Sequence, residues 1–145
     1  MTTTATAQTT QVFSIAIRAT PEAIWEAITT PEFTARYFHG ARITVTPDRY
    51  RSLGPDGGVW GDENVLEFDP PRRLVHGWRS LYDPELAAEE PSRVSWDIDP
   101  QEGYCLLTVT HDQLEGAPKT AVNIAGWTFI ISSLKSLLET GEPLA

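Results

Sequence analysis

TAVNIAGWTFIISSLKSLLET, residues 120–140, carries the longest helical period in the chain. Trp127, Ile131, Leu134 and Leu138 fall at i, i+4, i+7 and i+11, and Val122, Gly126, Ile130 and Leu137 form a second stripe beside them. Apolar surface that wide must be covered over much of the helix girth. Gly141 suits the left-handed residue that closes a helix, and Pro143 follows it. The chain therefore needs a broad apolar partner for its last element.

The residues upstream supply one. From 41 to about 114 the texture is strand and turn, with candidate strands at 41–46, 50–53, 59–68, 73–82, 93–99 and 104–111. Pro47-Asp48, Gly54-Pro55-Asp56-Gly57-Gly58, Asp69-Pro70-Pro71 and Pro100-Gln101-Glu102-Gly103 separate them. Connections this short predict antiparallel pairing of successive strands. Val94, Trp96 and Ile98 alternate with Ser95, Asp97 and Asp99, which makes one face dry and the other wet. By the same period Leu74, His76 and Trp78 share a face of their strand, as do Cys105, Leu107, Val109 and His111 of theirs.

Before these strands, Phe13, Ile15, Ile17 and Ala19 alternate as a first strand from Val12. Thr20-Pro21-Glu22 reads as an N-cap, a proline at the first helical position and an acid at the positive helix end. Thr30-Pro31-Glu32 repeats the signal, so two short helices follow, the second stopped by Gly40. Residues 1–11, uncharged and Thr/Ala/Gln-rich, read as a disordered tail. The expected fold is α+β: one domain over 12–145, a curved antiparallel sheet of about seven strands around a long C-terminal helix.

At 145 residues the chain should bury roughly 68–70% of its unfolded surface, enough for a core and one internal pocket. Eleven basic against twenty acidic residues give −9, which argues against binding phosphate backbones. No apolar run approaches the roughly 20 residues of a membrane span. The lone Cys105 predicts a reduced, cytoplasmic protein and an inert mid-strand thiol.

Gly126-Trp127, followed after six residues by Leu134-Lys135-Ser136-Leu137-Leu138-Glu139-Thr140-Gly141, resembles the C-terminal signature of the heat-shock protein 90 ATPase activator-like (Aha-type) family. That family belongs to the START-like, or SRPBCC, helix-grip superfamily. Three further pieces keep the family's order, 19–27 (ATPEAIWEA), 69–74 (DPPRRL) and 107–111 (LTVTH). The resemblance implies a seven-stranded helix-grip sheet around a hydrophobic cavity. It also suggests a chaperone-associated, stress-response role. The name-giving activators contact the chaperone through an additional N-terminal domain for which 145 residues leave no room.

Within such a fold the rings are the first candidates. Trp25, Trp60, Trp78, Trp96 and Trp127, with Phe38 and Tyr82, either fill the core or line a pocket, where indole N–H and phenol O–H groups orient a ligand. His39, His76 and His111 lack the close spacing of common metal motifs. His76 and His111 share a sheet side with one strand between them, a separation of roughly 9–10 Å. They are candidates for a polar ligand contact, a hydrogen-bonded structural role, or a shared metal with help from other side chains. No nucleophile elbow or P-loop is present, and Gly54 to Gly58 reads as a hairpin turn. Acidic residues crowd 83–102, as a solvated face or a lid over the cavity entrance.

The expected function is binding of a small hydrophobic or amphipathic molecule between sheet and helix, with no cofactor, metal or catalytic residue assigned. The candidate cavity lining is Phe38, Trp60, His76, Trp78, Trp96, His111, Asn123, Trp127 and Ile131. The alternatives are a cyclase, hydratase or hydrolase using His76 or His111 for proton transfer, and a chaperone partner. A homodimer is an expected assembly, with no nucleic acid partner.

Overall fold

A computed structural model of the chain describes residues 9–144. Seven strands form one antiparallel sheet: β1 (Gln11–Ile17), β2 (Arg42–Val45), β3 (Arg49–Leu53), β4 (Val59–Asp69), β5 (Arg73–Trp78), β6 (Ser92–Pro100) and β7 (Cys105–Asp112). Their order across the sheet is β1-β7-β6-β5-β4-β3-β2. Each strand from β2 to β7 thus neighbours the next in sequence, as short connections require. The first strand pairs with the last, Phe13 facing Val109 and Ile17 facing Cys105. Most of the expected 1–11 tail lies outside the described residues, but Gln11 already belongs to β1.

Alternation fixes the faces. In β7 Cys105, Leu107, Val109 and His111 are buried, and in β6 Val94, Trp96 and Ile98 join them. Trp96 pairs with Val109 across the ladder and with Leu74 on β5. The opposite face carries polar and charged pairs such as Ser14–Thr108 and Arg93–Asp112. Register shifts at Ser52/Leu53 and at Val65/Glu67 interrupt the ladders of β4. An extra residue in one strand bends it and increases its twist, which curves this half of the sheet.

Helices α1 (Pro21–Thr29) and α2 (Pro31–Tyr37) begin at the two Thr-Pro-Glu signals. The Thr20 hydroxyl accepts from the Ala23 N–H at 3.1 Å. Thr34 ties α2 to the sheet, its hydroxyl donating to the Ala41 carbonyl at 2.8 Å and accepting from the Ile43 N–H at 2.9 Å. After α2 the chain reverses through His39 (φ 54) and Gly40 (φ 78), both left-handed.

Two expectations are corrected. The strand expected over 73–82 ends at Trp78, because β6 begins at Ser92, its partner, and residues beyond have no neighbour on that side. The acidic stretch from 83, expected as a solvated face or a lid, opens with a short helix that the sequence reading did not include. Asp83 accepts from the N–H groups of Glu85 and Leu86 and starts α3 (Pro84–Ala87).

The terminal helix is likewise not one rod. It divides into α4 (Pro118–Asn123), a turn of 3-10 helix at Ile124–Gly126, and α5 (Trp127–Thr140). Gly126 at the junction has poor helix propensity, and a tighter turn is common where helices meet. The break rotates α4 relative to the expected stripe, so Val122 is 73% exposed. Gly126 is exposed as well and Leu138 is half-buried, whereas Trp127, Ile130, Ile131, Leu134 and Leu137 are buried as the stripe requires. Each contributes roughly 1.5–3 kcal/mol. Gly141, at φ 87, closes the helix, its N–H bonded to the Leu137 carbonyl. No described helix is long and apolar enough to cross a membrane.

Candidate functional site

A cavity of about 350 Å³ lies at the N-terminal end of α5, bounded by β3, β4 and the end of β5. Farther along the helix Trp96, Leu107, Val109, Ile131 and Leu134 are all buried in one continuous core. The cavity lies on the β3–β5 side of the helix–sheet interface, and a second, more open and more polar space sits on the β1 side, lined by Ala16, Arg18, Lys135 and Glu139 among others.

Rings dominate its walls. Trp127, on the first turn of α5, packs against Trp78 at 5.4 Å and edge-on against Phe38 at 5.7 Å between ring centroids. Trp60 on β4 meets Tyr82 at 5.6 Å. Trp60 lies so close over Gly54 that a β-carbon there would collide with its indole. Asn123 donates from Nδ2 to the Tyr82 hydroxyl at 3.2 Å, joining the 78–83 segment to the end of α4 at the rim.

Of the nine residues expected to line a cavity, Phe38, Trp60, Trp78, Asn123 and Trp127 do so. His76, Trp96, His111 and Ile131 do not. Trp96 and Ile131 sit deeper in the core, Trp96 beneath Trp127 with ring centroids 5.3 Å apart. The two histidines are fully buried and hold the wall from behind.

Their hydrogen bonds are complete. His76 donates from Nδ1 to the Gly77 carbonyl at 2.7 Å and accepts at Nε2 from the Trp96 indole at 3.0 Å. His111 accepts at Nδ1 from the Trp127 indole at 3.1 Å and donates from Nε2 to the Ser92 hydroxyl at 2.7 Å. Ser92 in turn donates to the Trp78 carbonyl at 3.3 Å. Burial pushes His76 down to about 3 and His111 to about 4. Both imidazoles are neutral struts with no nitrogen left for a substrate, which removes the proton-transfer role that the enzyme alternative gave them. Among the described residues no His, Cys, Asp and Glu side chains cluster to hold a metal. Cys105 is buried, its thiol donating to the Ala19 carbonyl at 3.2 Å, and burial pushes it up.

The polar part of the cavity comes from residues that alternation did not single out. Glu63 on β4 faces Tyr50 across the β3 ladder, and its carboxylate lies against Gly77, where an added β-carbon would stand 2.7 Å from Oε1. Its side chain is 14% exposed and Arg79 Nε stands 3.9 Å from its Oε2, beyond hydrogen-bonding distance. Burial raises the Glu63 carboxyl, and the nearby Arg79 and Arg49 guanidiniums partly oppose that. Three buried polar atoms have no partner among the described residues: the Tyr50 hydroxyl, Trp78 Nε1 and Arg79 Nε. All three belong to residues lining the cavity. The three atoms themselves are buried out of contact with the open space, so other atoms of Tyr50, Trp78 and Arg79 form the wall.

Structural comparison places the chain among helix-grip proteins. A Mesorhizobium loti protein superposes with a TM-score of 0.73 at 24% identity, over 90% of this chain and 96% of its own. CalU16 from Micromonospora echinospora gives 0.70 at 19% identity, over 92% and 76%. The Aha1 dimer from Colwellia psychrerythraea gives 0.70 at 20% identity, over 92% and 98%. No curated protein matches the chain. Residues 18–139, which run from just before α1 through β2 to β7 and nearly all of α5, match the Activator of Hsp90 ATPase homolog 1-like protein family, and the chain belongs to that family.

Proposed function

We propose that the protein binds a small apolar or amphipathic molecule in the cavity at the head of α5. The observation that carries this reading is an aromatic-walled space of about 350 Å³ beside a continuous buried core. Dedicated small-molecule sites have this size and composition, mostly rings with a few placed polar groups. Cavities this large cost stability through lost contacts, so retaining one is best accounted for by an occupant.

The reading is tested by native mass spectrometry for a co-purifying species and by thermal shift with a panel of apolar ring compounds. Binding should raise the melting temperature in proportion to the logarithm of ligand concentration above Kd. An Ile130→Trp variant, which fills the space, should lose that response while remaining folded. No retained molecule, and no stabilisation of the wild-type protein by any compound, would overturn the proposal.

A further inference from the structure

The two edges of the sheet are finished differently. At the start of β2 the Thr34 hydroxyl takes both the Ala41 carbonyl and the Ile43 N–H, so α2 covers the backbone of that edge. At β1, alternate residues bond to β7, and those between them turn their N–H and carbonyl groups away from the sheet. Ala16 is one of the latter, its carbonyl accepting from Lys135 Nζ at 2.7 Å. Arg18, the next, donates its N–H to the Glu139 carboxylate at 2.7 Å. Side chains of α5 thus cover this edge from the Ala16 carbonyl onward. Val12 and Ser14 face the same way, and among the described residues nothing pairs with their outward backbone groups.

Open strand edges are usually blunted by a charge, a proline or a bulge. Residues 11–17 (QVFSIAI) contain no charge, proline or glycine, and their register with β7 is unbroken. We propose that β1 pairs antiparallel with β1 of a second copy of this chain, the two-fold axis passing beside Phe13. Val12 of each copy then exchanges N–H···O=C bonds with Ser14 of the other, which pairs every outward group left open on the two residues. Val12, exposed on the outer face, gains the other copy's Ser14 as a neighbour. A second copy fits this edge better than a flexible peptide, because a strand already held by β7 has little ordering entropy left to lose. The same uncharged patch on both partners also suits a two-fold contact. One strand pair is a small interface, so the dimer is weak and forms at high chain concentration.

The test is analytical ultracentrifugation of the full chain from micromolar to millimolar concentration, with amide hydrogen exchange at both ends of that range. The wild-type protein should dimerise as concentration rises, and the Val12 and Ser14 amides should exchange more slowly in the dimer. Ser14→Pro removes an outward N–H and leaves the bonds to β7, so it should weaken dimerisation about tenfold or more. Ser14→Ala loses the hydroxyl contact with Thr108 but keeps the N–H, and should dimerise as wild type does. Val12→Lys puts a charge on the edge with the backbone intact and should also weaken the dimer, which keeps the test open if Ser14→Pro does not fold. A wild-type protein that stays monomeric throughout, or a dimer that folded Ser14→Pro or Val12→Lys leaves at full strength, overturns the proposal. Slow exchange of both amides in the monomer overturns it too, because the chain then covers its own edge.

Discussion

The Trp127 indole donates to Nδ1 of His111 across 3.1 Å, so the first residue of α5 is fastened to β7 by an imidazole that must stay neutral. Trp96 does the same to His76 one strand away. These two bonds position the rings behind and beside the cavity, and both fail if the accepting nitrogen takes a proton.

Acid should therefore loosen the protein in a defined window. The unfolded chain protonates its histidines near 6.5, whereas the folded chain resists until about 4 at His111 and about 3 at His76. Between those values the unfolded state binds more protons, so stability is full above 6.5 and is lost as pH falls toward 4. The His111 shift corresponds to roughly 3 kcal/mol. Urea denaturation at neutral and acidic pH should show this decline, and His111→Gln, though less stable at neutral pH, should show a shallower one. Parallel curves for the two proteins would remove the histidine from the account.

Thr34 offers a cleaner measure of how the helical pair is held. Its buried hydroxyl serves two backbone groups, the Ala41 carbonyl and the Ile43 N–H. Thr34→Val preserves shape and leaves both unpaired, so chemical denaturation should show a loss of roughly 2 kcal/mol or more. A loss below about 0.5 kcal/mol would mean that water or a rearranged backbone replaces the hydroxyl.

What the residues disclosed in advance depends on how many spatial neighbours a pattern requires. Alternation in β6 and β7 is clean and needs only one strand at a time, so the inward faces of Trp96 and His111 were legible. Alternation reports a face and not a distance along the helix, and Trp127 covers Trp96 while leaving Trp78 beside open space. Glu63 was not legible because β4 is bulged and its apolar residues Val59, Trp60, Val65, Leu66 and Phe68 follow no single alternation, Tyr50 sits in a five-residue strand too short to show a period, and Arg79 lies beyond the paired end of β5. The start of α3 could have been found: Asp83-Pro84-Glu85 repeats the signal of Thr20-Pro21-Glu22, but the surrounding acids made it read as a charge run.

That acidic segment has a defined structural task at Glu89. No side chain caps α4 from its own N-terminus. The Glu89 carboxylate instead accepts from the Lys119 and Thr120 N–H groups and from the Thr120 hydroxyl, at 2.7 to 2.9 Å. Glu89→Ala should cost about 1 kcal/mol, the usual worth of a cap. Hydrogen exchange gives the sharper reading: the Thr120 and Ala121 amides should lose protection while the middle of α5 keeps it. Unchanged protection in α4 would show that the helix needs no remote cap.

Two glycine-to-alanine substitutions should separate the apolar wall from its polar end. At Gly54 the β-carbon would enter the Trp60 indole, a rigid ring of the cavity wall. Gly54→Ala should cost roughly 1–3 kcal/mol and weaken the binding of tetralin, because the wall itself moves. At Gly77 the β-carbon would meet Oε1 of Glu63 at 2.7 Å, the far end of a flexible side chain, and also its Cβ at 3.2 Å, which moves only with the strand. Gly77→Ala should therefore cost some stability yet leave tetralin binding intact, because Glu63 is not one of the rings of the apolar wall. Fluorescence titrations of both variants with tetralin, an apolar ring probe, decide the matter. If Gly54→Ala binds tetralin as wild type does, Trp60 is not part of the binding wall, and if Gly77→Ala loses tetralin as Gly54→Ala does, the polar end is not separable from that wall.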